Sequence, residues 1–359
     1  MTKEFTSLGL MSGTSGDGVD ASVIKSDGQT NYTPVLNKYF PYNRDVYDRI
    51  HKLREKINIS KNLDEFSEEL NFLEKEITLF HGKAVNEIIK DINIDLVGFH
   101  GQTIFHNSKE KISRQLGDGK LLSNISKENV VHNFRENDIK NNGEGAPLAP
   151  IFHKLLVKQK KIDVPVSILN IGGIANITSI NSNYEMSSSD IGPGNCLIDN
   201  WMRINSKNNF DKNGEKAQIG KINKIILDQA LDNFDNNILN KKSYDPKDFD
   251  LSFVRGLSLE DGAATLTEYT SEILSKKITD NSIFLCGGGR KNSFLVKSIQ
   301  RKINSQINLI DDLGIDGDFI ESQAFAYLAI RSYLKLPISF PETTGCNKPC
   351  TGGEIIMIK

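Results

Sequence analysis

Cysteine is scarce in this chain of 359 residues, which has four cysteines and one tryptophan. Residues 1–18 contain no long apolar run before their glycines, so we expect no signal peptide. Without secretion we predict a cytoplasmic protein with free thiols rather than disulfides. Cys346 and Cys350 are separated by three residues and no second pair exists, so this spacing does not favour a zinc or redox site.

Long apolar runs and an excess of one charge are also missing. No stretch approaches the roughly 20 apolar residues of a membrane-spanning helix. The 44 basic and 46 acidic residues leave a net charge of −2, so no global basic field attracts nucleic acid or an anionic membrane. We therefore predict neither as a partner. At roughly 100–200 residues per domain, the length predicts two domains.

The chain does contain alternating β-like runs and helical stretches, which are typical of α/β architecture. We place the domains at 1–164 and 165–359, with the last helix at about 319–334 able to pack back toward the first domain. Other helices are predicted at 45–91, 146–159, 222–239, 259–278 and from 291 onward.

Three glycine-rich turns follow strand-like runs. The first, Ser12 to Gly18 in sequence, is a predicted hairpin tip whose bare backbone suits a phosphate, with Asp17 and Asp20 as Mg²⁺ ligands, directly or through water. An ordinary hairpin is the alternative, and neither a Rossmann nor a P-loop motif fits.

The other two glycine-rich turns contain Gly172-Gly173 and Gly287-Gly288-Gly289. Together they predict a nucleotide gripped between two domains, with phosphates on the first two turns and adenosine on the third. Each could instead only allow close helix packing.

Several polar residues have two possible interpretations. Asp190 is predicted in a loop that opens a helix, where it is either a helix cap or a general base. The start of that helix, beyond Asn195, could also favour the negative charge of a phosphate. Arg135 either binds a substrate carboxylate or pairs with Asp138. Glu321 begins the last helix, where an acidic residue complements the dipole. An apparent calcium loop at 312–318 lacks the required ligands.

The chain resembles the anhydro-N-acetylmuramic acid kinase family in a series of motifs that occur in the same order and extend over nearly the whole chain. The motifs are LMSGTSxDGVD from Leu10, HGQT from His100, QLGDG from Gln115, FR at Phe134, GAPL from Gly145, NIGGIAN from Asn170, DxGPGN from Asp190, CGGGxxN from Cys286, ExxAFAxLA from Glu321 and TG at Thr344. Departures occur at Gly16, Ile191, 141–144 and Cys346.

The resemblance implies a two-domain actin-like ATPase (ribonuclease H-like) α/β fold that binds ATP and sugar in the interdomain cleft, and a homodimer. It implies ATP-dependent conversion of 1,6-anhydro-N-acetylmuramic acid to N-acetylmuramic acid 6-phosphate in cell-wall recycling. Asp190 matches the catalytic base. The residues expected at ATP are Gly13, Thr14, Ser15, Gly16, Asp17, Gly18, Val19, Asp20, Gly172, Gly173, Gly194, Asn195, Gly287, Gly288, Gly289 and Asn292. Those expected at the sugar are Ser12, His100, Arg135, Asp190 and Glu321.

Three other functions remain alternatives at this point. A kinase for another sugar or small acid would share every glycine turn, because specificity depends on side chains that the sequence does not place in space. A non-catalytic actin- or Hsp70-like ATPase would share the phosphate turns. A glycoside hydrolase would use paired carboxylates and would need no nucleotide turn.

Overall fold

The computed structural model describes residues 3–13, 15–237, 243–279 and 282–358. Its internal contacts divide the chain into two compact units. Unit 1 comprises Met1–Ile162 and Phe319–Lys359, and unit 2 comprises Asp163–Asp318. The first boundary lies close to the predicted one at 164. The segment from Phe319 onward, which includes the last helix that was expected to pack back toward the first domain, is grouped with unit 1 and not with the rest of 165–359.

Each unit is built on one β-sheet. The strands are β1 (Phe5–Ser12), β2 (Gly18–Ser26), β3 (Tyr32–Pro41), β4 (Leu96–Asn107), β5 (Ile112–Leu116), β6 (Val130–His132), β7 (Val166–Ile171), β8 (Ile174–Ile180), β9 (Met186–Pro193), β10 (Ser282–Cys286), β11 (Gln306–Leu309) and β12 (Glu354–Ile356).

The two sheets share one topology. In unit 1 the order is β3-β2-β1-β4-β6-β12, with β5 paired to β4; in unit 2 it is β9-β8-β7-β10-β11. In both, three consecutive strands form an antiparallel meander, and the first of them pairs in parallel with a later strand that has a second parallel neighbour. The predicted two-domain α/β fold of the actin-like ATPase type is confirmed.

Helices cover the sheets. They are α1 (Arg44–Lys56), α2 (Lys61–Glu65), α3 (Ser67–Ile88), α4 (Gly119–Ser126), α5 (Glu136–Lys140), α6 (Pro150–Gln159), α7 (Cys196–Asn205), α8 (Glu215–Ile219), α9 (Lys224–Asn237), α10 (Leu259–Lys277), α11 (Ser293–Gln300), α12 (Ile320–Tyr333) and α13 (Pro341–Thr344). Among the described residues, none of these helices combines the length and apolarity needed to cross a bilayer.

Local signals explain where several helices begin. The side chain of Ser258 accepts a hydrogen bond from the backbone of Asp261 and caps α10, so this helix matches its prediction closely. The region 45–91 is helical as predicted and consists of three helices, α1 to α3. The helix predicted from residue 146 starts at Pro150, which occupies its first turn, where a missing N–H costs nothing.

Helix α12 packs against β1 and β4 at very short range. A Cβ atom on Gly9 would lie 1.9 Å from the carbonyl oxygen of Ser322, and one on Gly98 would lie 2.4 Å from that of Phe325. Only glycine permits this approach. The contact brings the first turn of α12, which carries Glu321, onto the sheet of unit 1.

Two histidines are completely buried inside unit 1, and this predicts sensitivity to acid. Burial lowers the pKa of both His81 and His153 to about 4. Because an unfolded histidine titrates near 6.5, the unfolded chain binds more protons below that pH, and stability is lost as the pH falls. We expect the free energy of unfolding to decrease by about 1.5 kcal/mol per histidine between pH 6.5 and pH 5. Urea denaturation across this range measures the change, and a flat profile would contradict it.

Candidate active site

The first glycine turn connects β1 to β2 as predicted, and side chains from elsewhere in unit 1 hold it. The amide nitrogen of Gln102 donates to the carbonyl oxygen of Gly13 at 2.8 Å, and the backbone of Gly16 donates to the same oxygen at 3.2 Å. A ring nitrogen of His51 lies 2.9 Å from the carbonyl oxygen of Ser15. Thr14 lies outside the described residues. These contacts hold the described residues of the turn, Gly13, Ser15 and Gly16.

Two residues of this motif point into the protein. Ser12 is fully buried; its hydroxyl donates to the carbonyl oxygen of Gly18 at 3.1 Å and lies 2.8 Å from the hydroxyl of Tyr42 and 3.3 Å from Nε2 of His81. Val19 belongs to the hydrophobic core. The structure therefore gives the Ser12 hydroxyl, which was expected at the sugar, partners inside unit 1.

The two aspartates predicted at Mg²⁺ act on one neighbouring phenol. Asp17 is exposed and Asp20 half-buried; the Ser15 hydroxyl donates to Asp17 at 2.5 Å. Burial first, and then the charges of Asp17 and Asp20, raise the pKa of Tyr39. Within the described ranges no group of three or more histidine, cysteine or acidic side chains is suited to hold a metal. A pair of carboxylates nevertheless suits Mg²⁺, which usually takes its other ligands from water and phosphate.

The second glycine turn interlocks with the start of α7. The backbone of Gly194 donates to Gly173 O at 3.0 Å, that of Asn195 to Gly172 O at 2.8 Å, and that of Cys196 to Gly173 O at 3.1 Å. Of the amides at the start of α7, which were expected to favour a phosphate, that of Cys196 therefore binds a carbonyl group of this turn. The contact fixes the turn relative to the helix.

The third glycine turn follows β10 and is shaped by packing at two of its three positions. Gly287 has φ +77°, and a Cβ there would lie 2.3 Å from the side-chain oxygen of Asn170. A Cβ on Gly289 would lie 2.2 Å from Ile171 Cγ2. Asn292 accepts a hydrogen bond from the Leu295 backbone at 3.0 Å and so caps α11, although it was predicted at the nucleotide.

Each of the three turns also contains one glycine that the fold does not require. A Cβ on Gly288 would meet nothing within 4 Å, one on Gly13 would come no closer than 3.8 Å to another residue, and one on Gly172 no closer than 3.4 Å. None of the three has a positive φ. Neither packing nor backbone conformation explains glycine here. A ligand that must approach the bare backbone does explain it, and a phosphate or nucleoside has this requirement.

A pair of alanine substitutions separates these two kinds of glycine. We expect Gly289→Ala to lower stability by about 1–3 kcal/mol, because its Cβ overlaps Ile171. Gly288→Ala should leave the melting temperature unchanged and raise KM for ATP about tenfold, because the added methyl group occupies ligand space. Thermal unfolding and ATP titration of both variants measure these effects. An unchanged KM for Gly288→Ala would contradict a nucleotide at this turn.

Asp190 is a strand residue, and the prediction of a loop at this position was wrong. It lies in β9, paired with Asn176 of β8 next to a bulge. Its carboxylate is half-buried and accepts a hydrogen bond from the backbone of Tyr244 at 2.8 Å. The cap interpretation fails, because α7 begins at Cys196. An oriented carboxylate on a paired strand fits a general base.

Three residues predicted at the sugar meet at the end of the sheet of unit 1. Nδ1 of His100 donates to the carbonyl oxygen of Gly101 at 2.7 Å, so Nε2 is free of its proton and accepts from Arg135 at 2.9 and 3.2 Å. Burial and the neighbouring Arg135 keep the pKa of His100 well below 6.5. Burial raises the pKa of Glu321, and the charge of Arg135 opposes that rise.

The segment from Arg135 to Gly145 is held at both ends. Nη1 of Arg135 donates to the Gly145 carbonyl oxygen at 2.9 Å. Asp138, its alternative partner in the sequence analysis, is buried and accepts hydrogen bonds from the Gly145 backbone at 2.7 Å and from the Thr344 hydroxyl at 2.6 Å. The carboxylate therefore anchors the segment, while His100 and Gly145 orient the guanidinium.

Comparisons with known proteins agree over the whole chain. Residues 5–358 match the family model described as anhydro-N-acetylmuramic acid kinase. A kinase of that name from Pelagibacter ubique is 56% identical, over 99% of both chains. One from Zymomonas mobilis is 36% identical, over 98% of this chain and 99% of the relative.

Solved structures are more distant. Component A of (R)-2-hydroxyglutaryl-CoA dehydratase from Acidaminococcus fermentans has a TM-score of 0.45 at 10% identity, covering 92% of this chain and all of that one. A ROK family glucokinase from Streptomyces griseus has a TM-score of 0.40 at 10% identity, covering 90% and 99%. Scores this low add no argument to the topology described above.

Proposed function

Because the chain belongs to the anhydro-N-acetylmuramic acid kinase family, we propose that it opens 1,6-anhydro-N-acetylmuramic acid with water and transfers the γ-phosphate of ATP to O6. The products are N-acetylmuramic acid 6-phosphate and ADP. This reaction returns cell-wall sugar to metabolism. Binding of ATP and sugar between the two units remains a prediction.

The observation that supports ATP as the phosphoryl donor is the set of three glycines that the fold does not require. Gly13, Gly172 and Gly288 leave bare backbone at three strand ends. Phosphoryl transfer depends mostly on positioning and charge stabilisation, and backbone N–H groups supply both without a P-loop lysine. When bound, Mg²⁺ neutralises charge on the phosphates, and Asp17 and Asp20 are the residues proposed to hold it.

Asp190 has the proposed role of general base. Its carboxylate removes a proton from a water molecule as that water attacks the anomeric carbon, and the C1–O6 bond breaks. The released O6 then attacks the γ-phosphorus in line with the departing ADP oxygen. The Tyr244 amide, which donates to the carboxylate at 2.8 Å, holds the base in one orientation.

Arg135, His100 and Glu321 form the proposed sugar subsite. The guanidinium is a natural partner for the lactyl carboxylate of the substrate. Since neutral His100 and the Gly145 carbonyl oxygen already orient it, little side-chain entropy is lost on binding. Glu321, whose burial raises its pKa, would bind the hydroxyl or amide groups of the sugar. No such role is proposed for the buried Ser12 hydroxyl.

The cytoplasm is the proposed location. ATP is supplied there, and the four cysteines are free thiols, which persist in a reducing compartment. The homodimer implied by the family resemblance remains a prediction.

A panel of acceptors tests the proposed reaction. ADP release is measured with 1,6-anhydro-N-acetylmuramic acid, with N-acetylglucosamine, with levoglucosan and without sugar. We expect rapid release only with the anhydro amino sugar. Equal release without sugar would identify an ATPase instead, and faster release with another acceptor would identify a kinase for that compound.

A further inference from the structure

The apparent calcium loop at 312–318 has a different role in the structure. Asp311, Asp316 and Asp318 lie within the segment 311–318, here called the acidic loop. They surround the side chain of Arg290, which directly follows the third glycine turn. Asp311 accepts two hydrogen bonds from this guanidinium, at 2.7 and 2.9 Å, and Asp318 accepts one at 2.5 Å. A carboxylate oxygen of Asp316 lies 3.6 Å from Nη2 of Arg290. Three carboxylates thus converge on one arginine.

This arginine is buried, so its charge depends on those partners. Only 5% of its side chain is exposed. Burial alone would lower the pKa of Arg290, but hydrogen bonds to Asp311 and Asp318 raise it. A buried guanidinium is tolerated only where its charge and N–H groups are matched, and here they are. The bidentate geometry with Asp311 also fixes its orientation.

Arg290 is also bonded to the glycine turn itself. Its Nη1 donates to the carbonyl oxygen of Gly287 at 3.0 Å, and the backbone of Gly287 donates to Gly317 at 3.1 Å. A Cβ on Gly317 would lie 2.4 Å from Arg290 Nε. The turn and the acidic loop are therefore joined through the arginine, whereas a Cβ on Gly288 would meet nothing within 4 Å.

We propose that Arg290 is a positioning residue for ATP, which locks the turn Gly287–Gly289 to the acidic loop in the shape that receives the adenosine end of the nucleotide. This inference rests on the proposed function. Loss of the guanidinium would release the turn and remove the cationic partner of Asp311, whereas Asp318 would keep its ion pair with Lys291. A released turn no longer keeps the shape that receives the nucleotide. An unmatched carboxylate also repels the nucleotide, because the nucleotide is itself an anion.

The test compares Arg290→Met with Lys302→Met as a matched control. Lys302 also forms half-buried ion pairs in unit 2, with Glu268 at 2.5 Å and Glu272 at 2.8 Å, but these join no glycine turn. We expect Arg290→Met to raise KM for ATP about tenfold, equivalent to about 1.4 kcal/mol, with kcat and the sugar KM nearly unchanged. The control should lose thermal stability and keep its KM for ATP.

Two further variants keep the test decisive. Arg290→Lys should restore part of the ATP affinity, and it replaces Arg290→Met if that variant does not fold. Adding Asp311→Asn to Arg290→Met should cause little further loss, because the two residues act as one pair. An unchanged KM for ATP in both Arg290 variants, or an equal rise in Lys302→Met, would overturn the inference.

Equilibrium binding of a fluorescent ATP analogue separates this inference from the proposed function. If the wild-type protein binds the analogue but phosphorylates no anhydro sugar, the proposed reaction is wrong. The role of Arg290 is then still tested by comparing the dissociation constant of the analogue for Arg290→Met with that for wild type. If the wild-type protein does not bind the analogue, both proposals fail.

Discussion

Replacing Asp190 by asparagine is expected to lower kcat by about 10²–10⁴-fold, the usual contribution of a positioned general base. The amide oxygen of asparagine can still accept the hydrogen bond that the Tyr244 backbone donates at 2.8 Å. The strand and its pairing with β8 should therefore remain intact. What is lost is the ability to take a proton from water. The dissociation constant for ATP should change by less than about twofold, because binding does not require the proton transfer.

Asp199→Asn is the matched control for this experiment. Asp199 is also a half-buried aspartate of unit 2, in the first turn of α7, and the same chemical change there should leave kcat almost unaltered. Single-turnover kinetics and ATP titration give the two constants separately. If Asp190→Asn retained wild-type kcat, or lost ATP affinity as strongly as turnover, Asp190 would not be the general base.

Replacing Arg135 by alanine is expected to raise the sugar KM by about 10- to 100-fold, as loss of a hydrogen bond to a charged group predicts. The KM for ATP should change little. Arg135→Lys should recover only part of the effect, because a lysine cannot reproduce the guanidinium fork that His100 and Gly145 orient. Initial rates with each substrate varied in turn measure both constants.

Arg114→Ala serves as the control for Arg135→Ala. Arg114 is a partly exposed arginine of unit 1 that pairs with Glu74 at 3.0 Å, and its loss should leave the sugar KM unchanged. A substrate analogue without the lactyl carboxylate gives a second check, since it should bind wild type and Arg135→Ala equally. If Arg135→Ala kept a normal sugar KM, the guanidinium would have no role in recognising the substrate.

Much of the fold could be predicted because local signals and tertiary structure agree. The hairpin at Gly13–Gly18 and the turn at Gly172–Gly173 interrupt apolar runs, and the structure has strands on both sides of each. The cap at Ser258 marks the start of α10. In these places the turn chemistry and hydrophobic pattern support one conformation.

Asp190 shows where local signals fail. The glycines and proline that follow it are typical of a loop, yet β9 continues through them to Pro193 because it pairs with β8. Strand formation depends on such neighbours more than on intrinsic propensity. The backbone of Tyr244, which donates a hydrogen bond to the Asp190 carboxylate, is 54 residues away in the sequence. No local pattern could identify this donor.

Several assigned roles also depend on which way a side chain points. The family resemblance grouped Ser12 and Asn292 with the ligands; the structure adds that Ser12 bonds inside unit 1 and that Asn292 caps α11. Gln102 belongs to the HGQT motif, but only the structure shows that its amide donates to the first glycine turn, at Gly13. Arg290 was missed because its three aspartates become neighbours only on folding.

The most direct test of the account follows ADP and sugar phosphate together in one reaction. Purified protein is incubated with Mg-ATP and 1,6-anhydro-N-acetylmuramic acid, and both products are quantified by mass spectrometry. The account predicts equal molar amounts of ADP and of a product that has gained one water and one phosphoryl group. ADP without sugar phosphate, or a phosphorylated sugar that keeps its anhydro bond, would contradict it.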